Sequence, residues 1–152
     1  MEFEIENDNI KTILLPLKGT PYDLEICKMA LNLNKSLTNS KAIIHALHIM
    51  EIPFKYPEDA EIPEKITLSE SILSKIDTLA KEYKTEIKTH LIQSRRAGYA
   101  IINLENELKA DLIMLSSLFK ENHINEQIGT TINYVLRFSK STIILLRPGI
   151  KN

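Results

Sequence analysis

Short apolar runs alternate with longer amphipathic stretches along most of this chain. Thr12-Ile13-Leu14-Leu15-Pro16-Leu17 is apolar on both faces, as a central parallel strand is, and stops at the turn signal Lys18-Gly19-Thr20. From Pro21 to about Ser36, Ile26, Met29, Ala30 and Leu33 recur every three or four residues, with Leu37 just beyond, which is helical spacing. Ala42 to Met50 reads as a second strand. Residues 51–63 form a loop, because three prolines break both helix and central strand. Leu68, Ile72, Ile76, Leu79 and Tyr83 stripe a helix from Glu64 to Lys84. Glu86 to Ile92 alternates as a more exposed strand, and Ala97 to Leu108 is a helix. Asp111 to Leu115 is a fourth strand. A last helix begins at Ile128 or Gly129 and ends near Ser139, and Thr142 to Leu146 is a fifth strand.

Strands and helices that alternate strictly imply an α/β fold with a parallel sheet, right-handed crossovers and helices on both faces. Nothing repeats and no second core emerges, so residues 1–152 are expected to form a single domain with 1–10 as an N-terminal extension. The balance of 43% hydrophobic and 26% charged residues is that of a globular protein. A net charge of −1 makes no electrostatic case for nucleic acid or an anionic membrane. No apolar run approaches the roughly 18 residues of a membrane span. The acidic start, MEFEIENDN, lacks a signal peptide's positive region, so the cytoplasm is the expected location. The lone Cys27 excludes an internal disulfide and reads as a small buried residue.

The order of four segments resembles the universal stress protein family from Lys11 to Pro148. They are ILLPLKGT (13–20), ALHIMEIP (46–53), ADLIMLSS (110–117) and GTTINYVLRFSKSTIILL (129–146). SRRAGYAII (94–102) and EIPFKYPEDAEIPE (51–64) look like the branch often attached to amino-acid permeases, here without the permease. The resemblance implies an open five-stranded sheet in the order 3-2-1-4-5. That order opens a crevice between the first and fourth strands, where open α/β sheets bind ligands. Leu17, Lys18, Gly19, Thr20, His48, Ile49, Ser116, Ser117, Gly129, Thr130 and Thr131 are expected to bound it.

ATP-binding members carry a glycine, two residues, a second glycine, nine residues, then glycine and a serine or threonine. Laid on this chain, those positions are Ser116, Phe119, Gly129 and Thr130, so two of the three glycines are absent. The acidic residue usual in the first-strand turn is Lys18 here. Phe119 blocks the close backbone approach that a phosphate loop requires. Gly129-Thr130-Thr131 keeps a helix N-terminus suited to anions, although a hydroxyl cap without a ligand explains it equally. Arg95-Arg96 follows the third strand on the crevice side, either recognising a carboxylate or phosphate or standing as solvated loop charge.

His45 and His48 are three apart on a strand, face opposite ways and lack a ligand-spaced partner, so no metal site is expected. No nucleophile elbow, P-loop or zinc-protease motif is present, and no catalytic residues are assigned. The expected function is a non-catalytic stress-response module with a degenerate nucleotide crevice. The alternative is a genuine sensor of ATP, AMP or a small anion at Gly129-Thr130, and slow ATP hydrolysis is a weaker third. Family resemblance and an apolar edge strand point to a homodimer through Ile143, Ile144, Leu145 and Leu146, with a protein such as a transporter as possible partner.

Overall fold

The computed structural model describes residues 9–37, 41–117, 129–147 and 149. Their elements follow the alternation of the sequence: β1 (Thr12–Leu17), α1 (Tyr22–Ser36), β2 (Ile43–Glu51), α2 (Pro63–Glu82), β3 (Ile87–Ser94), α3 (Ala97–Leu108), β4 (Leu112–Ser116), α4 (Thr130–Phe138) and β5 (Thr142–Leu146). The five strands pair in parallel in the order β3-β2-β1-β4-β5, as expected.

Two boundaries moved for identifiable reasons. Pro63 does not belong to the loop but opens α2, where its fixed φ suits a first helical turn and its missing N–H costs nothing. β3 runs on to Ser94 because the proline-rich segment clasps it. The Ile52 N–H donates to the Ser94 carbonyl at 3.0 Å, and the Gln93 amide donates to the Glu58 and Ala60 carbonyls.

The sheet separates two cores, as strands buried on both faces require. Ile13, Leu15, Ile44 and Met114 pack with Ile26, Ala30 and Ile76 of α1 and α2. Leu14, Leu47, Ile113 and Leu115 pack with Ile101, Leu104 and Val135 of α3 and α4. Cys27 is fully buried in the first core, and burial pushes its thiol up to about 12, beyond thiolate chemistry.

At the amino ends of the strands, side chains staple the backbone. Asp111 accepts from the Lys11 and Thr12 N–H groups, which fixes β1 against β4. The Asn34 amide exchanges two bonds with the backbone of Ala42. Glu105, buried on α3, receives four bonds on one oxygen: the Ser139 and Ser141 hydroxyls at 2.6 Å and the Lys140 and Ser141 N–H groups at 2.9 Å. Burial alone raises the pKa of its carboxyl, but those four donors outweigh it and hold Glu105 below the ordinary value.

Candidate functional site

At the other end of the sheet, where β1 and β4 part, a cavity of about 430 Å³ opens. Seven of the eleven residues expected there line it: Leu17, Lys18, His48, Ile49, Gly129, Thr130 and Thr131. The sequence reading missed Lys65 and Leu68 of α2, Ala97 and Ile101 of α3, and Glu51 at the end of β2. Their helical spacing marks one face without saying which end of that face reaches the crevice.

The other four expected residues lie off the wall. Gly19 shapes the turn after β1: its φ is +78°, and an added Cβ would sit 3.3 Å from the Ile72 side chain. Ser117 is buried and its N–H donates to the Leu146 carbonyl at 2.7 Å, extending the β4–β5 ladder. Thr20 and Ser116 carry buried hydroxyls with no partner among the described residues. Phe119, the nine residues after it and the N-terminal eight lie outside the described residues.

The carboxylate that the turn lacks at Lys18 arrives from farther along the chain. Asp23, buried in the first turn of α1, accepts from the Lys18 N–H at 3.1 Å and the Gly19 N–H at 2.8 Å. Its burial raises the carboxyl, partly offset by those backbone bonds and by His48. The Lys18 amine is lowered by desolvation and pulled back by Asp23. His48, 6% exposed, is lowered by desolvation against the opposing pull of Asp23 and the Leu17 backbone. Its Nδ1 is buried and has no hydrogen-bond partner among the described residues. A buried imidazole nitrogen left unpaired costs roughly 1–3 kcal/mol unless something binds it.

The start of α4 faces the same space. Gly129 is its N-cap and, having no side chain, supplies no hydroxyl cap to the helix. A Cβ on Gly129 would meet nothing within 4 Å, which leaves room for a ligand beside the free N–H groups. α4 comes this close to α3 because Gly98 has no side chain. A Cβ there would lie 2.9 Å from the Tyr134 Cβ.

The two arginines after β3 divide their roles. Arg95 donates to the Pro53 and Tyr56 carbonyls and lies over the Phe54 ring, so it anchors the proline-rich loop. Arg96 lines a second cavity of about 370 Å³ with Tyr99, Tyr134, Thr130 and Thr131.

The histidines correct one expectation. His45 lacks a partner on its own strand, but its Nδ1 lies 2.8 Å from the Nε2 of His90 on β3. The register sets Leu47 opposite His90, which brings His45 into diagonal reach on the same face. No group of three or more metal-ligating side chains occurs among the described residues. Nor is any described helix long and apolar enough to cross a membrane.

Comparison with known proteins agrees with this architecture. The profile described as universal stress protein family matches residues 9–147. A curated universal stress protein of Methanocaldococcus jannaschii is 23% identical over 147 residues, spanning 93% of this chain and 84% of its relative. Among solved structures, the universal stress protein of Archaeoglobus fulgidus in complex with dAMP superposes with a TM-score of 0.64. It is 12% identical and the match covers 91% of this chain and 98% of that one. A universal stress protein in complex with cAMP superposes with a TM-score of 0.63 at 18% identity, covering 91% and 97%. With its sheet order and a matching profile over nearly its whole length, the chain belongs to the universal stress protein family.

Proposed function

We propose that this protein is a nucleotide-responsive module of the stress response that binds an adenine nucleotide, AMP or ATP, in the crevice and performs no catalysis. The observation that carries the reading is the cavity beyond the β1 and β4 ends, which His48 and Lys18 line together with the start of α4 at Gly129, Thr130 and Thr131. A neutral imidazole suits the exocyclic amine or ring nitrogens of a base, and the free N–H groups of α4 suit phosphate. Two relatives solved with dAMP and cAMP support the same ligand class. Non-catalytic action fits the commitment of Asp23, whose carboxylate holds the backbone of the β1 turn.

A thermal-shift titration with AMP and ATP tests the reading. Ligand at a hundred times its dissociation constant stabilises the fold by about 2.7 kcal/mol. Gly129→Val, whose side chain enters empty space, keeps the fold and removes the shift. No shift with either nucleotide refutes the sensor. The crevice is then closed to nucleotide, and the protein acts through a protein partner such as a transporter.

The same proposal includes a cytoplasmic homodimer through β5. Ile144 and Leu145 are each 37% exposed on this edge strand, and Phe138 of α4 is half exposed nearby in sequence. An apolar edge of this kind is normally covered. Sedimentation at micromolar concentration is expected to show a dimer that Ile144→Lys dissociates. A wild-type monomer refutes it.

A further inference from the structure

The two cavities meet. Glu51, Ala97, Thr130 and Thr131 line both, so the first turn of α4 forms a shared rim rather than a dividing wall. We infer that the ligand is two-headed, a dinucleoside polyphosphate whose first nucleoside sits beside His48, whose phosphates cross the start of α4, and whose second base rests in the Tyr99–Tyr134 chamber. This deepens the adenine-nucleotide reading of the crevice and rests on it.

The chemistry differs on the two sides of the rim in the way such a ligand requires. The first chamber is lined by His48 together with Lys18 and Lys65. The second holds Arg96 and two tyrosines. Tyr134 is backed by Phe138, with ring centroids 4.6 Å apart, so it offers a fixed aromatic wall. Tyr99 is 54% exposed although it lies in the first turn of α3, where it offers a free ring to a planar group. Neither α3 nor α4 carries an acidic residue in its first turn, and neither N-terminus has a side-chain cap. Two helix starts and cations on both sides therefore favour negative charge along the rim.

Glu51 is the opposing charge and lines both chambers. Its backbone carbonyl is taken by the Lys65 amine, while its exposed carboxylate is placed to accept from ribose hydroxyls flanking a polyphosphate. A single mononucleotide leaves one chamber empty. Each chamber alone falls near the lower end of the roughly 300–1,000 Å³ usual for small-molecule sites, so the pair suits a longer ligand.

Isothermal titration of the full chain with AMP, ATP and diadenosine tetraphosphate separates the possibilities. The dinucleotide is expected to bind about tenfold or more tightly than ATP, the scale of one base stacked on an aromatic side chain. Tyr99→Ala and Arg96→Ala, both at exposed positions, are expected to remove that gain and leave AMP affinity unchanged. If AMP binds but the dinucleotide binds no tighter than ATP, the two-headed ligand is overturned while the crevice reading survives. Equal loss of AMP and dinucleotide affinity in the variants also overturns it. Silence with all three ligands overturns both.

Discussion

The two ends of the sheet treat buried polar groups in opposite ways. At the amino end, Asp111, Asn34 and one oxygen of Glu105 receive or exchange bonds with backbone and hydroxyls until little is left unmet. The second oxygen of Glu105 is the exception, buried without a partner. At the carboxyl end, Asp23 is met by two backbone N–H groups, but Thr20, His48 and Ser116 carry buried polar atoms without a partner among the described residues. The amino end is met largely by the protein's own groups. The carboxyl end carries unmet polar groups, each of which lowers stability while it stays unpaired.

The largest expected effect follows from removing a satisfied group. Glu105→Ala removes the shared acceptor of four donors at the α4–β5 turn. The Ser141 hydroxyl and N–H keep second acceptors in the Ala110 carbonyl and the Ser139 hydroxyl, while the Ser139 hydroxyl and Lys140 N–H are stranded. Charge-assisted bonds of this kind exceed neutral ones, so a loss of about 3 kcal/mol is expected in urea denaturation, with an unchanged slope. Glu105→Gln keeps an acceptor and should lose less. A loss below about 1 kcal/mol for the alanine variant, small on the scale of single substitutions, removes Glu105 as a staple.

Removing an unmet group at the carboxyl end carries the opposite sign. Ser116→Ala deletes a buried hydroxyl without a partner, and His48→Leu deletes an unpaired ring nitrogen. Both are expected to leave stability unchanged or raise it by up to about 1 kcal/mol, while His48→Leu weakens nucleotide binding. A clear destabilisation by Ser116→Ala shows that its hydroxyl already has an internal role and shrinks the contrast between the ends.

The contrast was only half legible in the sequence. Ile13 to Leu15 and Leu112 to Leu115 announce central strands because a parallel strand is apolar on both faces, and the sheet order followed from family resemblance. Gly129-Thr130-Thr131 could be placed at a helix start for the same kind of reason. Asp23 could not be seen as the carboxylate of the β1 turn, because it reaches back along the chain from a helix to two N–H groups. The His45–His90 pair was hidden by register, since one residue of slip between β2 and β3 would turn His90 to the other face. Arg96 could be placed on the crevice side from its position after β3, but Lys65 and Tyr99 line the cavities only because the crossovers bring three helix starts to one sheet edge.

The smallest effect reads both ends together through pH. Burial lowers the pKa of His45, His48 and His90. His45 is lowered further by His90 and Lys88. For His90, Glu107 opposes the shift while Lys88 adds to it. The His45–His90 bond needs one ring nitrogen to donate and the other to accept, so charging both rings breaks it. Between the depressed folded values and the ordinary value of 6.5, the unfolded chain binds more protons. Stability from these rings is therefore complete above about pH 6.5 and declines as pH falls below it. Glu105 adds a second, more acidic window, because its lowered carboxyl loses its contribution only as pH falls through its folded value, below 4.5. His90→Gln is expected to flatten the first decline partly and leave the second intact, measured by urea midpoints from pH 7.5 to 4. An unchanged slope in the His90→Gln protein assigns the decline to His48 instead, and saturating AMP is then expected to flatten it if the proposed site beside His48 is correct.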